Sequence, residues 1–312
     1  MYITGPAIVT LGSGPAIYFE DGLDVKFQTA TNKIVSDMHG TIGETLKSRK
    51  AMITGKPEGV VTAAMLAALI PYADANIGSS LFTGTDVPLV IQTLAGQTIT
   101  WSRACLSKSP NLSLSANKPL YGSNVEFTAL GGMSSNSTPT SAAHFNAVVS
   151  NAFADTSYDP SKLIRDVYTA AYGSTPYSAM TAQEGFDVTI EQENKEIPDD
   201  NVGIGDIVLA SLTVSCKFIP SNLNEAQLWT LLAIQNTGAV TPGTEINGGA
   251  ANNLVITGSN AAGLVLTINK PGFKDADVAY KTGKLRAGEI MAVSSKSFTA
   301  GVAGSLISWT IL

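Results

Sequence analysis

The chain has 312 residues, of which 44% are apolar and only 14% charged, and a formal net charge of −6. That is enough chain for two domains of about 130–150 residues, each with its own core, and it is too apolar to stay disordered. The acidic balance excludes tight nucleic-acid binding by counterion release. Two cysteines, Cys105 and Cys216, exclude a disulfide framework and a cysteine-built zinc site, and read as small core hydrophobes in a reducing compartment.

Residues 1–6 carry neither a basic segment nor an apolar run, so no signal peptide is expected. The turn Gly12-Ser13-Gly14-Pro15 lacks the lysine or third glycine of a phosphate-binding loop and reads as punctuation before a strand. The next strand alternates, with Leu23, Val25 and Phe27 on one face and Asp24, Lys26 and Gln28 on the other. A polar excursion over residues 29–45 returns as a strand that carries the basic run Lys47-Ser48-Arg49-Lys50 and ends at Pro57. A short helix is expected over 63–69, with Met65, Leu66 and Leu69 on its apolar face. The apolar run 63–70 is far below the roughly 20 residues that span a bilayer, so no membrane is expected. Strands follow at 87–91, 98–101, 112–114 and 125–129.

Residues 131–160 are rich in Ser, Thr, Asn and Ala and read as a linker with a helical piece near 142–153. The turn Gly173-Ser174-Thr175-Pro176 opens a second series. Phe186, Val188 and Ile190 alternate with Asp187, Thr189 and Glu191, and the return strand places Val208, Ala210, Leu212, Val214, Cys216 and Phe218 on one side. Asn222 with Glu225 suggests a capping box before a helix that carries Leu228, Leu231 and Leu232. Strands are expected at 254–256, 264–268, 278–280 and 289–293.

The two series are one pattern written twice. Residues 21–69 align with 184–232 without a gap at a constant offset of 163, so that Gly22, Asp24, Val25, Ile34, Gly40, Leu46 and Pro57 meet Gly185, Asp187, Val188, Ile197, Gly203, Leu209 and Pro220. Beyond the helix the offset becomes 165–166, and 118–122 falls on 284–288. The expected architecture is mainly β. Two tandem sandwich or barrel domains, at 1–130 and 166–312 with a linker over 131–165, each carry one packed helix and a long protruding hairpin.

Candidate chemistry is thin. His39 and His144 are the only histidines, and neither lies near a GxSxG nucleophile elbow, so no catalytic residue is expected. The acidic run Glu191, Glu193, Glu196, Asp199, Asp200 and Asp206 does not match an EF-hand, so no metal or other cofactor is expected. Trp101, Trp229 and Trp309 read as core anchors. The charge is split unevenly. Residues 1–130 hold nine basic and nine acidic residues, whereas 131–312 hold ten and sixteen. Lys47, Arg49 and Lys50 therefore stand as contact candidates for Glu196, Asp199 and Asp200 between stacked assemblies, against the plainer reading of solvated charge runs.

Residues 21–59 (DGLDVKFQTATNKIVSDMHGTIGETLKSRKAMITGKPEG) and 81–130 (LFTGTDVPLVIQTLAGQTITWSRACLSKSPNLSLSANKPLYGSNVEFTAL) resemble the tail tube proteins of phages with long non-contractile tails. The second repeat resembles that family mainly through its likeness to the first. The resemblance implies a virion protein, made in the host cytoplasm, in which six tube domains close a ring. The inner sheets would join as one barrel around a lumen through which DNA passes unbound, and the long loops would reach the next ring. It also implies partners among the other tail proteins (tape measure, terminator and distal tail). A chain with two such domains would need three copies per ring. The alternatives are another β-sandwich virion protein (terminator, collar or decoration) or a carbohydrate-binding or adhesion module.

Overall fold

Strand forms wherever the sequence alternates with period two. The computed structural model describes residues 7–59, 61–82, 87–93, 97–130, 133–134, 138–139, 146–149, 166–173, 177–199, 203–233, 252–259, 263–281, 284–294 and 305–311. The first half comprises β1 (Ala7–Leu11), β2 (Ile17–Tyr18), β3 (Asp24–Ser36), β4 (Gly40–Gly55), α1 (Ala63–Leu69), β5 (Leu89–Thr93), β6 (Gln97–Trp101), β7 (Arg103–Lys108), β8 (Leu112–Leu114) and β9 (Val125–Leu130). After it come the small hairpin β10 (Met133–Ser134) and β11 (Thr138–Pro139), and β12 (Asn146–Val149). The second half comprises β13 (Tyr168–Tyr172), β14 (Met180–Thr181), β15 (Phe186–Asp199), β16 (Gly203–Phe218), α2 (Glu225–Ala233), β17 (Leu254–Gly258), β18 (Leu264–Ile268), β19 (Gly272–Lys281), β20 (Lys284–Ser294) and β21 (Ile307–Ile311).

Strand for strand, the halves repeat. One sheet runs β12-β6-β5-β1-β2 and its counterpart β21-β18-β17-β13-β14; another runs β3-β4-β9-β7 and its counterpart β15-β16-β20-β19. The offset of 163 carries β4 onto β16 end to end. It also carries the two bulges of the first long hairpin, at Ala30/Thr31 and Ile34/Val35, onto those of the second, at Glu193/Asn194 and Ile197/Pro198. The bridge Phe19 to Pro57 reappears as Ala182 to Pro220. Bulges are specific local devices, so their coincidence marks a common origin of the halves more firmly than side-chain identity does.

The protein is mainly β, with two short α-helices among the described residues. Its four larger sheets follow one another in a propeller-like ring and do not separate into two tandem sandwiches. The physical reason is β8. This first-half strand leaves its own sheet and pairs with β15, so that one sheet draws on both halves. A single apolar cluster runs through both halves, from Val9, Ile53 and Phe127 to Phe186, Val214 and Leu266.

Local expectations are met unevenly. Thr62 caps α1 by accepting from the Met65 amide at 3.1 Å. The reciprocal box on α2 is made by Asn224 and Gln227, at 2.8 and 3.0 Å, not by Asn222 and Glu225. Asn222 instead ties the helix entry to β14, accepting from Thr181 N and donating to Ala179 O. Residues 146–149, expected within a helical piece, form β12 on the edge of β6, where the β-branched Val148 and Val149 suit a strand. The rest of that piece, and His144, lie outside the described residues. Trp101 is buried and Trp309 packs partly against the core, but Trp229 is 44% exposed on the outer face of α2. Cys105 and Cys216 are buried and free.

Candidate assembly interface

The informative surface is the seam where the first repeat covers the second. Leu112, Ser113 and Leu114 of β8 lie antiparallel to Val188, Asp187 and Phe186 of β15. Ser113 Oγ donates to Asp187 Oδ1 at 2.8 Å, and the Lys118 ammonium stands 3.2 Å from the other carboxylate oxygen. Farther along, Asn194 Nδ2 donates to Ser107 O at 2.6 Å, and Arg103 donates to Gly205 O at 3.0 Å while stacking on the Phe82 ring at 4.2 Å. Residues 78–81 then line the second hairpin: Gly78 N donates to Leu209 O and Leu81 N to Ile207 O, both at 2.8 Å, and Ser80 Oγ donates to Asp206 at 2.6 Å. Backbone and side chains of one repeat thus satisfy the polar groups of the other, which lets the strand faces beneath be buried.

The same positions of the first repeat have no such cover. Phe186, Val188 and Ile190 are buried, but their counterparts Leu23 and Val25 are only half-buried, and Phe27 is 50% exposed. Leu209 is fully buried, whereas its counterpart Leu46 is 61% exposed. Ile34, Val35, Met38 and Ile42, farther out on the same arm, are exposed as well. Fully burying a side chain of this size stabilises by about 1.5–3 kcal/mol, and a concentration of exposed apolar side chains on one arm is the kind of feature that marks an interaction site.

The six charged candidates divide. Lys50 and Glu196 meet as an ion pair inside one chain, across the seam. Lys47 and Arg49 are exposed on β4, and the Lys47 carbonyl lies against Gly203. Asp199 ends β15 opposite Gly203. Asp200 lies outside the described residues. The seam residues Ser113, Lys118, Asn194 and Arg103 were not singled out from the sequence. The one signal was the match of Lys118 with Lys284 and of Asp187 with Asp24 at the repeat offsets.

A groove of about 650 Å3 runs along the seam, lined by polar side chains such as Glu126, Gln192 and Ser211. Among the described residues no group of three His, Cys, Asp or Glu side chains is gathered for a metal ion, and no helix is long and apolar enough to cross a membrane. Burial pushes the Cys105 thiol up to about 12 and raises Cys216 as well, the opposite of an activated nucleophile. No protein-family model matches the chain, and no curated protein matches it.

Proposed function

We propose that this chain is a structural phage protein whose copies close into rings and stack into a tail tube, with three chains, and so six repeats, in each ring. The observation that carries this reading is the unequal burial of matched residues, Phe27 against Ile190 and Leu46 against Leu209. The first repeat covers the second within a chain. The surface left open on the first is thus of the kind that the second repeat of another copy would meet. Such a contact is heterologous, and repetition of it closes a ring when the rotation from copy to copy is one third of a turn, as three chains per ring require. Closure also removes the exposed sheet edges that otherwise invite aggregation.

Each repeat stands for one tube domain, and the long hairpins, with Lys47, Arg49 and Asp199 near them, reach from ring to ring. The acidic balance of the chain suits a lumen along which DNA slides without binding. The chain has no catalytic role in this reading, and its partners are itself and the other tail proteins. Negative-stain microscopy of the purified protein tests it. Hollow striated tubes or annular particles are expected, and monodisperse monomers at every concentration would favour a decoration or adhesion protein instead.

A further inference from the structure

We propose that two sheet margins of the chain, the outer edges of β19 and β3, pair between copies in one defined register, with residues 278–280 of one chain lying antiparallel on residues 23–25 of the next. Val278 stands opposite Val25, Ala279 opposite Asp24 and Tyr280 opposite Leu23. The inference rests on the ring reading above and specifies its joint.

The template lies inside the chain. β8 gives one edge to β15, with Leu112, Ser113 and Leu114 opposite Val188, Asp187 and Phe186. Its other edge folds back on residues 120–122: Leu112 bridges Tyr121, Ser113 N donates to Leu120 O at 2.6 Å and Gly122 N to Asn111 O at 2.8 Å. A shift of 166 turns the pair Leu112–Tyr121 into Val278–Ala287, which are direct partners in the β19–β20 hairpin. The second repeat therefore owns the same small hairpin in the same internal register. The edge that β8 gives to β15 corresponds to the outer edge of β19.

The acceptor is equally specific. The offset of 163 converts Phe186, Asp187 and Val188 into Leu23, Asp24 and Val25. β3 stands at the margin of its sheet and β19 at the margin of its own, and among the described residues neither stretch has a second ladder partner. The half-burial of Leu23 and Val25, where Phe186 and Val188 are fully buried, is what the absence of a β8-like strand produces. Asp24 keeps the acid that Ser113 and Lys118 engage at Asp187, and the sequence places Lys284 at 166 positions after Lys118. Neither hairpin has to open, so the joint forms by edge-to-edge addition.

Cysteine cross-linking in the full chain tests the register. Directly opposite residues of an antiparallel pair have Cα atoms about 4.5–5.5 Å apart, within disulfide reach. The variant Asp24→Cys/Ala279→Cys, oxidised after assembly, is expected to run as covalent dimers and closed trimers without reductant. The shifted variant Asp24→Cys/Lys281→Cys is expected to stay uncross-linked, and the buried Cys105 and Cys216 take no part. Wild-type protein supplies a second measurement: amide exchange within 23–25 should slow by about tenfold or more on assembly. Rings that form with unchanged exchange at 23–25, or that cross-link only in the shifted pair, overturn the register and leave the ring reading standing. A wild-type protein that never assembles overturns both.

Discussion

Gly203 packs its bare α-carbon against the Lys47 backbone: a β-carbon built there would stand 2.0 Å from the Lys47 carbonyl oxygen. Its φ of +80° is in addition one that L side chains rarely adopt. The tip of the second hairpin can lie across β4 of the first repeat only because this position has no side chain. Gly203→Ala is therefore expected to destabilise the chain by about 1–3 kcal/mol from the backbone conformation alone, and by more from the clash. Thermal unfolding checks this, with a melting point several degrees lower.

Arg103 ties the two repeats together. It is buried, donates to Gly205 O and stacks on Phe82. Arg103→Ala leaves that carbonyl short of a donor and strips the ring of its cation, for a loss of about 2 kcal/mol. Lys118→Ala, by contrast, removes an ion pair in which both side chains are well exposed and should cost under about 1 kcal/mol. Denaturant midpoints of the two variants distinguish the cases, and equal losses would contradict the assignment.

Phe27 and Leu46 are exposed in one copy and are expected to be covered by the next. Phe27→Asp and Leu46→Asp should change the stability of the unassembled chain by no more than about 0.5 kcal/mol, yet abolish rings and tubes. Sedimentation beside thermal unfolding checks this pair of outcomes. Assembly that survives both substitutions would remove this face from the interface.

Arg49 tests the contact between stacked rings better than Lys50, because Lys50 already pairs with Glu196 in its own chain. Arg49→Glu is expected to stop elongation while rings persist, as seen by negative-stain microscopy. Tubes of normal length would dismiss the charged contact.

The thiols report on the core. Burial raises the pKa of Cys105 from 9.0 to about 12, and that of Cys216 in the same direction. Above pH 9 the folded chain therefore keeps protons that the unfolded chain loses. The stability contributed by the neutral thiols is fully present below pH 9 and is lost as pH rises toward 12, by up to about 1.4 kcal/mol per pH unit for each thiol. Denaturant midpoints at pH 8 and 10 should differ more for the wild type than for the Cys105→Ala/Cys216→Ala variant. A thiol reagent at pH 8 should modify neither cysteine until the chain is unfolded.

Much of the fold was legible because period-two alternation and a repeat offset are local properties. Val25, Val188 and Val214 announce long half-buried strands, and the ungapped match of 21–69 with 184–232 implied hairpins of equal length. The destination of β8 was not legible. Three residues, Leu112–Leu114, read as a strand, but nothing local says that their partner is Phe186–Val188 of the other repeat. β12 was hidden by a composition that suits linkers, and the α2 cap was misplaced because Asn222 and Asn224 are equally good caps until Thr181 engages the first. Lys50 and Glu196 were recognised as complementary charges, but their meeting within one chain depends on how the second hairpin crosses β4.

The central claim is that successive repeats around a ring alternate within and between chains. Native mass spectrometry of the assembled protein tests it most directly. The account predicts a ring mass of three 32.4 kDa chains and, for stacks, multiples of that mass. A ring of six chains, or a chain that remains monomeric throughout, would contradict it.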